Sequence, residues 1–231
     1  MKIGGVIRTS LVDYPGKVAA SIFTIGCNFR CGYCHNPELV LPDEFVMSIP
    51  ENEVLEFLKT RIGKLDGVAI SGGEPTLHED LPEFIREVKT MGFLVKLDSN
   101  GSNPDVLRGL IDDKLIDYIA MDIKGPLEKY HEIMGWKIDP NVIRRSVDLI
   151  KNSGLEHEFR TTIVRSQLTV EDFEKVGKLV EGADRFALQH FRAIEKMVDT
   201  EKFRDERTFS EEEFEQVRKI MEKYVKKCVI H

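Results

Sequence analysis

No stretch of this chain approaches the ~18 uninterrupted apolar residues that a membrane-spanning helix needs, so no membrane partner is expected. Positive charge is in deficit. Lys and Arg number 33 against 40 Asp and Glu, a net charge of −7, which weighs against nucleic acid as a partner. There is no low-complexity tract and no long linker, so the composition is that of a globular chain and not of a disordered one. No Ser/His/Asp or Cys/His arrangement stands out, so nucleophilic catalysis is not expected. The leading MKIGGVIRTSLVDYPGKV has polar residues where a secretory leader needs an apolar core. The expected compartment is the cytoplasm, where thiols stay reduced. Cysteine is scarce, with four in 231 residues, yet Cys27, Cys31 and Cys34 lie within eight residues and only Cys228 lies elsewhere. Three is an awkward number, because disulfides use pairs and structural zinc takes four ligands.

What is present is a rhythm. Short β-branched apolar runs, at Ala19–Ile25, Gly67–Ser71, Phe93–Asp98, Asp117–Ile123, Glu158–Val164 and Arg185–Gln189, alternate with amphipathic stretches. The runs are nearly continuous in apolar residues, as parallel strands buried on both faces should be. Ser48 with Glu51, Thr169 with Asp172, and Ser210 with Glu213 predict helix starts, as do Asp80, Asn103-Pro104 and Asp139-Pro140. Six strand–helix units in series argue for a parallel α/β fold. An open doubly wound sheet and a barrel compete on local pattern. The unusual residues fall just after strand after strand, which suits a ring of loops around one site. Six units are too few for a closed eight-stranded ring. The expected fold is therefore an open, partial (β/α)6 TIM-like barrel of parallel strands. It is expected as a single domain over residues 1–231, with an N-terminal extension at 1–18, a core at 19–190 and a C-terminal loop and helix at 191–231.

Thiolates spaced C-x3-C-x2-C on one loop can reach three irons of a [4Fe–4S] cube and leave the fourth open to a small molecule with an amine and a carboxylate. Zinc with His35 or Cys228 as fourth ligand is the plainer alternative. His35 adjoins Cys34, and neighbouring residues rarely both reach one tetrahedral ion. Cys228 ends a helical pattern far away and reads as a packed or surface thiol. Three unrelated cysteines would be an improbable crowding.

CNFRCGYC, from Cys27 to Cys34, resembles the signature of the radical S-adenosylmethionine (SAM) superfamily. Its extension CHNP, and Ser10–Gly16 upstream (SLVDYPG), are similar to the activating enzymes that install glycyl radicals. With one such motif and only Cys228 to spare for further clusters, the chain looks most like the activating proteins of anaerobic ribonucleoside-triphosphate reductase. The resemblance implies one [4Fe–4S] cluster on Cys27, Cys31 and Cys34, with SAM on the open iron. Tyr33 would lie near the adenine, and His35 and Asn36 would wall the cluster.

The other loops can be weighed against that idea. SGGEP (Ser71–Pro75) alone would pass for a tight turn. The resemblance assigns Gly72, Gly73 and Glu74 to the SAM amino group. Asp98-Ser99-Asn100-Gly101 is a turn signal at a strand end, and it resembles a D-T-N-G segment of the activases. Asp122 and Lys124 straddle one residue and can share a strand face. A rim ion pair is the plain reading, and the resemblance sets Lys124 against the SAM carboxylate. Asp98 and Asp122 could orient the amino group or hold a monovalent cation beside it. Arg160, charged within a strand, needs a partner, which could be SAM or a nearby acid. Gln189 is expected to read the adenine or ribose, with His190 on the opposite face. His78, His131, His157 and His231 have no partner spacing. Lys196–Arg207 reads as a solvated loop and helix face.

The function implied is a radical SAM activase that cleaves SAM reductively and generates a glycyl radical on a partner, the anaerobic (class III) ribonucleotide reductase. A flavodoxin or ferredoxin would be the electron donor. Alternatives are an activase of another glycyl radical enzyme, a small-molecule radical SAM synthase, and a zinc-binding interaction module.

Overall fold

The computed structural model describes residues 1–231. Its strands are β1 (Ile3–Ser10), β2 (Ala19–Thr24), β3 (Gly67–Gly72), β4 (Leu94–Ser99), β5 (Tyr118–Asp122), β6 (Glu156–Ile163), β7 (Phe186–His190) and β8 (Cys228–Ile230). Sheet order follows chain order, so β1 and β8 are the two edges and the sheet is open. β2–β3, β3–β4, β6–β7 and β7–β8 are parallel pairs. This is the open, mostly parallel α/β arrangement expected, with two strands added to the six. β1 pairs antiparallel with β2, and β8 closes the chain on β7.

The core follows from the apolar runs. In β5, Tyr118, Ile119, Ala120 and Met121 are all buried, as a strand covered on both faces requires. Helix Leu81–Thr90 buries Leu81, Phe84, Ile85 and Val88 on one stripe. Asp139 caps helix Pro140–Lys151 by accepting from Asn141 N at 3.0 Å. Ser210 and Glu213 form the expected reciprocal box ahead of helix Glu211–Met221. Two expected starts differ. Pro50, which fixes its own φ, caps helix Glu51–Lys59, while the Ser48 hydroxyl accepts from Ile3 N at 3.2 Å. The helix after Thr169 begins three residues later, at Asp172, whose carboxylate accepts from Thr169 N at 2.8 Å.

The chain packs as two compact units. The first comprises Met1–Asn28, Asn36–Ser99 and Asp105–Ile119, and the second Phe29–His35, Asn100–Pro104 and Ala120–His231. Ile22, Val68, Ile70, Phe84, Val95 and Leu97 are fully buried in the first, and Phe159, Phe173, Phe186 and Phe214 in the second. No helix is long and apolar enough to cross a membrane.

Candidate functional site

In the first unit the end of β3 is laced to the backbone that leads into Cys27. Gly73 N donates to Thr24 O at 2.9 Å, Glu74 N to Gly26 O at 2.8 Å, and Gly26 N to Leu39 O at 2.7 Å. The His78 Nε2 lies 3.0 Å from Ile25 O, and burial pushes that imidazole below its ordinary range. Both glycines of SGGEP are needed for this approach. Gly72 has φ +113°, and a Cβ there would sit 2.2 Å from Thr24 N. At Gly73 a Cβ would sit 2.0 Å from Gly26 O.

The polar side chains of this unit are engaged with one another. Glu74 is wholly buried. Its carboxylate accepts from Thr76 N at 3.1 Å, from the Thr76 hydroxyl, and from the Ser99 hydroxyl at 2.9 Å. Asp98, at the end of β4, is ion-paired with Lys96, whose side chain is only 2% exposed. Asn36 precedes helix Pro37–Val40, and its carbonyl accepts from Leu39 N at 3.0 Å.

In the second unit Cys34 N donates to Cys31 O at 3.0 Å, a tight turn between two of the three motif cysteines. That turn is held from outside. Val198 N donates to Cys34 O at 3.0 Å and Asp199 N to Gly32 O at 2.8 Å. The Phe203 ring lies 6.1 Å from that of Tyr33, and a Cβ on Gly32 would come within 2.5 Å of it. Lys196–Arg207 is therefore more than a solvated face, because its backbone and Phe203 brace the cysteine loop. Phe191 packs against the same loop, 6.3 Å from Tyr33 and 5.9 Å from His35 between ring centres.

Arg160 finds an acid. Its guanidinium lies 2.9 Å from Asp122 Oδ1, and Lys124 Nζ lies 3.0 Å from Oδ2. Burial pushes Asp122 up, but Arg160 and Lys124 more than offset it and hold the carboxyl far below the usual range. Burial pulls Lys124 down, and Asp122 more than offsets it, so the ammonium stays charged. The Tyr130 hydroxyl accepts from Lys124 N at 3.1 Å. Burial pushes the Cys31 thiol up to about 11, against the pull of Lys124, and keeps the Tyr33 phenol protonated.

Asn100 makes its expected turn, with Oδ1 accepting from Ser102 N at 2.9 Å. Gln189 Oε1 accepts from the Thr162 hydroxyl at 3.3 Å. The His190 ring packs on Phe214 at 3.9 Å. Cys228 is buried in β8, and burial raises its thiol to about 12, so of the packed and surface placements expected it has the packed one. Lys96, Tyr130 and the Val198–Phe203 brace were missed in the sequence. The signal for Lys96 was present as a lysine inside the apolar run FLVKLD.

None of the four cysteines is in a disulfide. No three His, Cys, Asp or Glu side chains form a mononuclear metal site. Three thiols on one loop, none in a disulfide, are the donor type of an iron–sulfur cluster, and by donor chemistry they fit that group.

The pattern that describes the Radical SAM superfamily matches residues 21–180. The chain belongs to that superfamily and is a radical SAM enzyme, and membership implies a [4Fe–4S] cluster and SAM. Over 99% of its length it is 38% identical to a protein of Methanocaldococcus jannaschii, 95% of which is covered and which carries the provisional name glycyl-radical enzyme activating enzyme. Two solved structures share the fold. A domain of pyruvate-formate lyase-activating enzyme from Bacteroides vulgatus has a TM-score of 0.55 at 15% identity, covering 71% of this chain and 98% of its own. Streptococcus suis SuiB bound to S-adenosylmethionine has a TM-score of 0.66 at 14% identity, covering 90% of this chain and 50% of its own.

Proposed function

We propose that this enzyme is an activase that generates a glycyl radical on a partner enzyme, and that the partner is the anaerobic ribonucleotide reductase. The observation that carries the reading is the Cys27–Cys34 loop, three thiols outside any disulfide at C-x3-C-x2-C, in a chain that matches an activating-enzyme relative over 99% of its length. When bound, the cluster and SAM supply a one-electron cleavage to methionine and a 5′-deoxyadenosyl radical, which takes the Cα hydrogen of a partner glycine.

The chain's own groups bind and orient. Cys27, Cys31 and Cys34 would hold the cluster, with His35 and Asn36 beside it. Lys124, kept charged by Asp122, would meet the methionine carboxylate. Gly72 and Gly73 would offer backbone, Asp98 and Asp122 a negative setting for the SAM amino group, and Tyr33 and Gln189 contacts to adenosine. Glu74, whose Oε1 accepts from Thr76 and Ser99, would add a carboxylate toward the same amino group. No residue is asked to act as general base or nucleophile. The electron donor we assign is a flavodoxin or ferredoxin.

The test is anaerobic. The protein is reconstituted with iron and sulfide, reduced, given SAM, and mixed with the ribonucleotide reductase of its own organism. A glycyl EPR doublet that vanishes in Cys31→Ala is expected. 5′-Deoxyadenosine without a doublet would keep SAM cleavage and discard the partner. Neither product, from cluster-loaded protein, would overturn the reading of the loop.

A further inference from the structure

The helix Tyr130–Met134 is five residues long, and Tyr130, Ile133 and Met134 are buried. Both of its ends are tied down within the second unit. At one end the Tyr130 hydroxyl accepts from Lys124 N at 3.1 Å. Gly125 lets the chain pass close beneath Ile133, since a Cβ there would come within 2.9 Å of Ile133 Cδ1. At the other end Met134 O accepts from Arg30 N at 2.7 Å. Gly135 follows with φ +62°, and a Cβ on it would lie 2.9 Å from Arg30 O. Arg30 directly precedes Cys31. The helix is therefore a short strut between the cysteine loop and the segment that carries Lys124.

The bond at Lys124 stands where the sheet runs out. β5 ends at Asp122. Ile123 is still held by β6, its N donating to Arg160 O at 2.7 Å and its O accepting from the Thr161 hydroxyl at 2.6 Å. Lys124 N is one residue beyond that hold. A buried N–H needs an acceptor, and here it is the oxygen of a tyrosine that is only 1% exposed. Phenylalanine would fill the same space. What the oxygen adds is a fixed backbone at the residue from which the lysine side chain departs.

We infer that Tyr130 is a positioning residue for SAM, fixing the Lys124 backbone so that the ammonium, held 3.0 Å from Asp122 Oδ2, is presented to the methionine carboxylate. The inference rests on the proposed pairing of Lys124 with that carboxylate. Tyr130 acts through Lys124 and is not asked to touch SAM. Two consequences separate this role from plain support of the fold. Loss of the hydroxyl should be felt only by a ligand that has a carboxylate, and only while Lys124 is present to meet it. A bond that merely stabilised the fold would weaken every ligand alike, with or without Lys124.

The experiment is a double-mutant cycle on the full chain, reconstituted and kept anaerobic. Binding is read by equilibrium dialysis against SAM and against 5′-methylthioadenosine, which has the adenosine and no carboxylate. Tyr130→Phe should weaken SAM about tenfold, the lower end for a group that orients a ligand-holding residue. Methylthioadenosine should change by less than about twofold, the scatter of uncoupled sites. Lys124→Met should also weaken SAM, and Tyr130→Phe added to it should cost nothing further. In the metal-free protein the Lys124 amide should exchange with solvent faster in Tyr130→Phe than in the wild type. Tyr130→His keeps a ring acceptor and serves if Tyr130→Phe does not fold, and its loss should likewise depend on Lys124. A folded Tyr130 variant that binds SAM as the wild type does, or that loses the same factor with and without Lys124, would overturn the inference. Lys124→Met with undiminished SAM affinity would overturn the carboxylate pairing and the inference with it. Neither ligand involves the partner enzyme, so failure here and failure of the activase reading are told apart.

Discussion

A Cβ at Gly73 would lie 2.0 Å from the Gly26 carbonyl oxygen, so alanine there must push apart the end of β3 and the backbone leading into Cys27. Overpacking of this kind costs about 1–3 kcal/mol. Gly73→Ala should lower the urea midpoint accordingly and reduce the iron bound per chain. Gly109, inside helix Pro104–Asp112 with nothing within 4 Å of an added Cβ, is the control. Alanine there should stabilise by about 0.5–1 kcal/mol. A midpoint unchanged by Gly73→Ala would mean that the strand end yields freely. Asp122 gives a prediction in pH. Its folded carboxyl sits below the unfolded value near 4. Its contribution is therefore complete above that value and lost as pH falls through the folded one. Asp122→Asn should be less stable at pH 7, with a flatter decline below about pH 4. An identical slope in acid unfolding would contradict the ion pairs with Lys124 and Arg160. At this scale the sequence was legible wherever spacing implied geometry. Asp122 and Lys124 straddle one residue and meet, and Arg160 in a strand announced a partner. The bonds that Thr76 and Ser99 donate to Glu74 were not legible, because those partners are ordinary residues on two different segments.

The element that matters beyond the strands is the Val198–Phe203 brace. Two of its backbone N–H groups are spent on Cys34 O and Gly32 O, and Phe203 is 1% exposed against Gly32 and Tyr33. Removing that ring leaves a cavity under the cysteine loop, a change that costs about 3–5 kcal/mol for a buried phenylalanine. Phe203→Ala should raise the rate at which a thiol reagent reaches Cys31 in the metal-free protein, and speed bleaching of the cluster in air. Unaltered Cys31 reactivity would show that the two backbone bonds hold the turn unaided. The run Lys196–Arg207 hid this role because its charged residues dominate the pattern, while the bonds to the cysteine loop come from backbone, which carries no residue-specific mark. Caps were readable where side chain and spacing agree, as at Ser210 and Asp139. They were misread at Ser48, where Pro50 enforces a later start.

Across the whole molecule the six runs became β2 to β7 almost residue for residue, since continuous apolar burial is the strongest pattern a parallel strand leaves. β1 and β8 escaped notice for physical reasons. β1 carries Gly4 and Gly5 and has no alternating burial, with Ile7, Arg8 and Thr9 exposed in succession, and β8 is three residues long. The same whole-chain view sets the effect of iron removal. The Cys31 thiol, raised to about 11 by burial, is protonated in the metal-free protein at neutral pH. As the cluster ligand we propose, Cys31 would have to lose that proton, so cluster assembly should release protons and its affinity should rise with pH. An unfolded chain does not hold Cys27, Cys31 and Cys34 in place, so binding favours the folded state by mass action, about 2.7 kcal/mol at a hundredfold excess over the dissociation constant. For a chain of this length that is a rise of roughly 5–10 °C in the unfolding midpoint. Chelating the iron anaerobically should reverse the rise, and reconstitution at pH 8.5 should load more iron than at pH 6.5. Equal loading at both values would mean that Cys31 enters the cluster already ionised, and that burial in the metal-free loop does not govern its proton.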